Sequence, residues 1–182
     1  MTFEVPMLFS IGFIFLFVIG GFSGVVCAIV PIDIQVQETY YVIAHFHYVL
    51  VSGALFAIFG AVYYWLPKWC GRMYDEKLGK WHFWLSMFFF NLTFFVQHFL
   101  GLAGMPRRVP DYALQFADFN MVSSIGGFGF GLTQPFFLYI VIKCIRSGEK
   151  AADKPWDGGT TLEWTLPSPA PYHSFETPPT IK

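Results

Sequence analysis

Hydrophobic residues fall into four long blocks along the chain. Each is long enough to cross a bilayer, for which about 20 apolar residues suffice. The blocks cover about 7–30 (MLFSIGFIFLFVIGGFSGVVCAIV), 39–66 (TYYVIAHFHYVLVSGALFAIFGAVYYWL), 81–101 (WHFWLSMFFFNLTFFVQHFLG) and 120–145 (NMVSSIGGFGFGLTQPFFLYIVIKCI). None alternates apolar and polar residues with period two, which argues against a β-barrel. A backbone polar group left unpaired in hydrocarbon costs several kcal/mol, so each block is predicted to be a helix. The expected fold is all-α and integral to a membrane. A four-helix region occupies residues 1–146, and 147–182 form a Pro-rich extended tail.

Smaller features refine this picture. Gly20 and Gly24 form a GxxxG pair in the first block, and Gly127 and Gly131 form another in the fourth. Both pairs are expected to mark close helix packing. Pro135 is expected to kink or break the fourth helix. Lys68, Arg72, Lys77 and Lys80 lie between blocks two and three; Lys143, Arg146, Lys150, Lys154 and Lys182 follow block four. The positive-inside bias puts both segments, and hence both termini, on the inner side. The connections at about 31–38 and 102–119 then face outward. Only Arg107 and Arg108 break the bias there. The tail (KPWDGG, LPSPAPYHSFETPP) reads as extended chain on the inner face that packs on partners rather than folding alone.

Composition excludes several function classes. The 182 residues are 55% hydrophobic and only 13% charged, with a net charge of −1. Soluble domains carry about 25% charged residues. A soluble enzyme, a disordered tail and a nucleic-acid binder are therefore poor fits. Cys27, Cys70 and Cys144 are far apart in sequence, lack metal-site spacing and read as small buried hydrophobes without a disulfide framework. No secretory or transit signal is visible at MTFEVP.

Candidate chemistry centres on Ala44-His45-Phe46-His47-Tyr48. Coordinating residues inside a spanning helix point to function by default. On an α-helix, positions i and i+2 are about 200° apart, so His45 and His47 face nearly opposite sides. They cannot chelate one metal together, but each can ligate its own centre, and imidazole is a normal axial ligand of haem iron. The alternative is a pair of polar histidines bonded to neighbouring helices. Both sit roughly 9–12 Å below the outer boundary at 1.5 Å per residue. A haem held there on edge has propionates near the outer surface. The guanidinium forks of Arg107 and Arg108 match such carboxylates.

At these residues the chain resembles a known family. TYYVIAHFHYVL is similar to the haem-ligand helix of subunit I of the haem–copper oxidases, the cytochrome c oxidase type. QHFLGLAGMPRRVPDY resembles that family's outer loop, and TLEWTLPSPAPYHSFETPP resembles its C-terminal end. The resemblance covers essentially the whole chain. It implies the last four of twelve spans. It implies that His45 is the proximal ligand of the high-spin haem, that His47 is an axial ligand of the low-spin haem, and that Arg107 and Arg108 bind propionates. Haem A is the implied haem type. The implied activity is transfer of electrons from cytochrome c to dioxygen, giving water, with proton pumping. It takes place in a mitochondrial inner or bacterial plasma membrane, in a complex with subunits II and III.

The resemblance also implies what lies elsewhere. The copper-binding histidines and the second low-spin haem ligand belong to earlier spans. Met1 directly precedes the first matching span. The chain is therefore expected to be the C-terminal piece of a split subunit, inactive alone, with a separate polypeptide supplying the remaining spans and the copper site. Where the family has a His-Asp pair that helps bind magnesium, this chain has Gln37-Glu38. Their oxygens are hard ligands, so magnesium is retained with altered geometry or lost. Asp33 matches a family acid near the propionates, with a plain loop carboxylate as the alternative. His82, His98 and His173 read as structural. A quinol oxidase fragment and a non-catalytic membrane scaffold remain as other readings.

Overall fold

The computed structural model describes residues 2–179. Met1 and Lys182, which enter the sequence reading, lie outside them. Helix α1 (Val5–Ala28) opens with Pro6 in its first turn, where a missing N–H costs nothing. Its inward positions are Val5, Phe9, Gly12, Leu16, Gly20 and Ser23, a narrow stripe at spacings of three and four. Most of the remaining surface is exposed Phe, Ile and Val, as suits a lipid-facing helix. The expected loop at 31–38 is instead mostly the short helix α2 (Val30–Val36), started by Pro31.

The second span is one rod with three hydrogen-bonding regimes. It begins as α3 (Tyr40–Phe46), whose N-cap Thr39 accepts from the Tyr41 N–H at 3.2 Å. It continues as a π-helical segment, His47–Phe56, and ends as α4 (Ala57–Cys70), closed by Gly71 at φ 70°. Helix α5 (Glu76–Leu102) is capped by Asp75, which accepts from the Lys77 and Leu78 N–H groups. Glu76 also accepts from the Val5 N–H at 3.0 Å, so the start of α5 caps the start of α1. Helix α6 (Ala117–Ser147) completes the bundle. Among the described residues, four helices are thus long and apolar enough to span a membrane. Those built on α4, α5 and α6 extend beyond the apolar blocks because charged and capping residues continue their ends.

Two expectations for α6 meet the structure. Of the kink or break expected at Pro135, the break does not occur, because the helix runs through it. Thr133 Oγ1 and Gln134 Nε2 both donate to the Phe130 carbonyl in the turn before it. Close packing falls on Gly126 and Gly129, where an added Cβ would collide with Thr93 and Phe89 of α5. Gly127 has only Thr93 Cγ2 at 3.9 Å, and Gly131 meets nothing within 4 Å. The glycines that matter here are three apart, on the face turned to α5.

Aromatic rings fill the core. Phe9 packs against Phe56, Phe59, Tyr63, His82 and Phe83, with centroids 5.2–5.7 Å apart. His82 is fully buried and shares a hydrogen bond of 3.0 Å with Tyr63, in keeping with a structural role. The tail departs from expectation, because it folds back on its own chain. Strand β1 (Arg72–Met73) pairs antiparallel with β2 (Glu149–Lys150). Lys68, only 5% exposed, donates to the carbonyls of Asp153, Leu166 and Pro167 and lies over the Trp164 ring. Trp156 and Trp164 donate to the carbonyl and hydroxyl of Tyr64. A buried ammonium needs such partners, and the tail supplies them as backbone oxygens. His173 lies further along, beside Tyr172.

Candidate functional site

Both histidines sit where α3 gives way to the π-helical segment, and the rod presents them to different helices. His45 turns to α1. Its Nδ1 lies 2.9 Å from the Gly20 carbonyl and 3.1 Å from Ser23 Oγ. His47 turns to α5. Its ring stacks on Phe94, centroids 4.2 Å apart and 15° between planes, and Nδ1 lies 2.7 Å from the Ile43 carbonyl. A carbonyl only accepts, so Nδ1 carries the proton in each ring and Nε2 keeps its lone pair. Neither Nε2 has a hydrogen-bond partner among the described residues, and neither is a buried orphan. A metal-ligating histidine shows this arrangement: the outer nitrogen is tied to a carbonyl, which fixes tautomer and ring plane, and the inner one is free to bind. The residues therefore fit axial ligation of two separate centres.

The close approach that sets His45 comes from α1. A Cβ placed on Gly24 would lie 2.7 Å from His45 Cε1, and one on Gly20 would lie 2.9 Å from Val49 Cγ2. The Gly20/Gly24 pair marks close packing as expected, and one of its contacts is the imidazole itself. Ser23 between them is buried and bonded to the ring. Sequence reasoning missed this; the small residues at 20, 23 and 24 were its signal. It also missed the π-helical geometry of His47–Phe56, where Ser52 Oγ bonds back to the Tyr48 carbonyl. π-Helical geometry is rare and is found frequently at functional sites, usually as a single turn; here it runs for ten residues.

The two connections expected to face outward are clipped together at the same end of the bundle. Tyr40 N–H donates to the Met105 carbonyl at 3.0 Å, and Arg107 N–H donates to the Glu38 carbonyl at 2.9 Å. The Arg107 side chain grips the Glu38 carboxylate with two nitrogens, one bond being 3.0 Å from Nε. Those bonds hold the Glu38 carboxyl below its usual range and raise Arg107. Glu38 and Arg108 both take positive φ, 60° and 61°. Arg108 has no ion-pair partner among the described residues.

The sequence-assigned roles divide at this clip. Glu38, whose oxygens either retain magnesium or leave it lost, is engaged by Arg107 where the two loops cross. Arg107, expected to meet a propionate, has its fork committed to that carboxylate, while Arg108 is free. Gln37 is exposed, and Asp33 is half-buried in the first turn of α2. Among the described residues, no group of three His, Cys, Asp or Glu side chains converges to hold a metal ion. His98 packs its ring edge-on to Tyr41 and 5.4 Å from Tyr48, with Nδ1 3.2 Å from the Phe95 carbonyl.

Helices in this order, with a histidine-bearing second span, have the fold of a haem–copper terminal oxidase core. A solved structure described as a heme-copper terminal oxidase dimer superposes with a TM-score of 0.71 and 22% identity over 80% of this chain and 27% of that one. The chain matches the family described as "Cytochrome C and Quinol oxidase polypeptide I" over residues 1–129. It is 48% identical over 184 residues to a probable cytochrome c oxidase subunit 1-beta of Nocardia farcinica, covering all of this chain and 31% of that protein. It is 47% identical to a putative cytochrome c oxidase subunit 1-beta of Streptomyces avermitilis, covering all of this chain and 33% of that one. The chain belongs to the cytochrome c and quinol oxidase polypeptide I family. It spans about a third of the length of these relatives and corresponds to the C-terminal helices of subunit I.

Proposed function

We propose that the chain is the haem-ligating C-terminal portion of the catalytic subunit of a cytochrome c oxidase. The observation that carries this is the pair of back-to-back imidazoles, each with Nδ1 tied to a carbonyl and Nε2 free. In this reading His45 holds the high-spin haem and His47 the low-spin haem. Haem iron supplies one-electron chemistry when bound. This chain contributes the fixed ligand geometry, the short covalent path through Phe46 between the two rings, and a water-poor aromatic surround. Arg108 is the free outer cation for a propionate. Arg107 serves as the arm of the Glu38 clip and reaches a propionate only by giving up that bond.

The complete enzyme would pass electrons from cytochrome c to dioxygen, forming water, and move protons outward. The rest of subunit I, which holds copper and the second low-spin ligand, and subunits II and III would be its partners. Haem A is the expected haem. The actinobacterial relatives favour a bacterial plasma membrane over a mitochondrial one. The end bearing the tail and the start of α1 would face inward, in line with its lysines and arginines.

Replacing His47 by leucine in the assembled complex tests the assignment. The low-spin haem absorbance is expected to vanish while the complex still assembles in the membrane. An intact bis-histidine low-spin spectrum in that variant would end the reading. His45→Leu should spare that spectrum and remove carbon-monoxide binding at the high-spin centre.

A further inference from the structure

Cys70 closes α4 and Cys144 lies three residues before the end of α6. Seventy-four positions apart in sequence, they meet at the tail-bearing end with their sulfurs 3.9 Å apart. The Arg72 carbonyl lies 3.3 Å from the Cys144 sulfur and 3.5 Å from that of Cys70, whose nearer acceptor is the Leu66 carbonyl at 3.1 Å. Cys144 is a wall of an open cleft of about 650 Å³, whose other walls include Asp75, Lys143 and Glu149. The Arg72 guanidinium is tied to the Gly148 carbonyl at 2.7 Å, so the strand carrying that shared acceptor is anchored to the far side.

We propose that Cys70 and Cys144 are an oxidant-modified site, a dithiol that a peroxide-class oxidant converts to a disulfide linking the second and fourth spans. Three features support it. The sulfurs already touch, and a disulfide requires them to close to about 2.05 Å. Cys70 is only partly buried, so a small oxidant reaches it first, and the buried Cys144 stands beside it to resolve the product. The Arg72 carbonyl lies within reach of both sulfurs, so the two side chains converge on one side of the strand rather than pointing apart.

In the first step the Cys70 thiolate, its proton released to water, attacks one peroxide oxygen. The O–O bond breaks, hydroxide leaves and is protonated to water, and a sulfenic acid remains. The second thiolate then attacks that sulfur and displaces hydroxide, which leaves as a second water. Two electrons pass from the sulfur pair to the peroxide. The product ties the end of α4 to α6 beside Lys68 and Gly71, which hold the tail.

The test uses the intact complex in its native membrane, treated with hydrogen peroxide, alkylated without reductant and digested. A peptide joining Cys70 to Cys144 is expected to rise from background to the major Cys70-containing species, and to disappear on treatment with a dithiol reductant. Cys27, far from both, should take the alkyl label with or without peroxide. In Cys144→Ser, peroxide should leave a sulfenic acid on Cys70 that a dimedone probe captures. Full alkylation of Cys70 and Cys144 after peroxide, or their conversion to sulfinic acids without a linked peptide, would overturn the proposal. The wild-type peptide map decides the matter even if the serine variant fails to assemble.

Discussion

Gly24 offers the most direct handle on the histidine geometry. Replacing it by alanine adds a single methyl group, built 2.7 Å from His45 Cε1. Carbon atoms rest about 3.5–4.0 Å apart, so the imidazole must retreat by about 1 Å. The methyl sits on a helix backbone and cannot yield, whereas the ring can turn about its side-chain torsions. Turning breaks the 2.9 Å bond from Nδ1 to the Gly20 carbonyl and re-aims Nε2. Overpacking of this kind costs about 1–3 kcal/mol, which corresponds to roughly a 5- to 150-fold loss in a binding equilibrium. Gly21→Ala is the matched control, because a Cβ there meets nothing within 4 Å. The assay is carbon-monoxide difference spectroscopy on the purified complex, with turnover as a second readout. Gly24→Ala should lose carbon-monoxide-reactive haem within that range, Gly21→Ala should match wild type, and the low-spin spectrum should persist in both. Equal spectra and turnover in the two variants would refute the claim that Gly24 sets the His45 ring.

Three further outcomes follow from the packing. Lys68→Met removes the donor to three tail carbonyls; a loss of about 3 kcal/mol in tail docking is expected, read as faster proteolysis within 150–170 with the helices intact. Gly129→Leu should impair assembly because Phe89 fills the space, whereas Gly131→Leu should be tolerated within this bundle, as thermal stability of the complex will report. The Glu38 carboxyl titrates below its unfolded value because Arg107 bonds its charged form, so its support of the clip is complete above the ordinary glutamate range and is lost as pH falls through the lowered folded value. Hydrogen exchange at the Arg107 amide should quicken over that acidic window, and Glu38→Gln should abolish the dependence; an unchanged profile in that variant would rule out the ion pair as its cause.

The sequence made legible whatever depends on local pattern. Four apolar blocks give four spans because hydrocarbon leaves the backbone no other solution. The 100° step of a helix separates His45 from His47 without any knowledge of their neighbours. Features that depend on distant parts of the chain were hidden. Cys70 and Cys144 look unrelated until α4 and α6 are side by side. Glu38 resembles a free metal ligand until a loop some 70 residues later brings Arg107 to it. The tail looks like a partner-binding strap because Trp156, Trp164 and the carbonyls that receive Lys68 give no sign that their partner is Tyr64 and Lys68 of the same chain. Pro135 signals disruption by its own chemistry, yet α6 continues past it.

The π-helical stretch that begins at His47 has a consequence for how this span can change over time. Its wider winding shifts the angular phase of everything beyond Phe56 relative to everything before His47. The half bearing His45 is thus aimed at α1, and the half beyond Phe56 independently at the tail and at His82. Reverting that stretch to ordinary winding would leave every residue present yet rotate Tyr63 and Lys68 off their targets. The span therefore behaves as two gears on one shaft, and the stretch between them is the coupling that keeps their teeth in register.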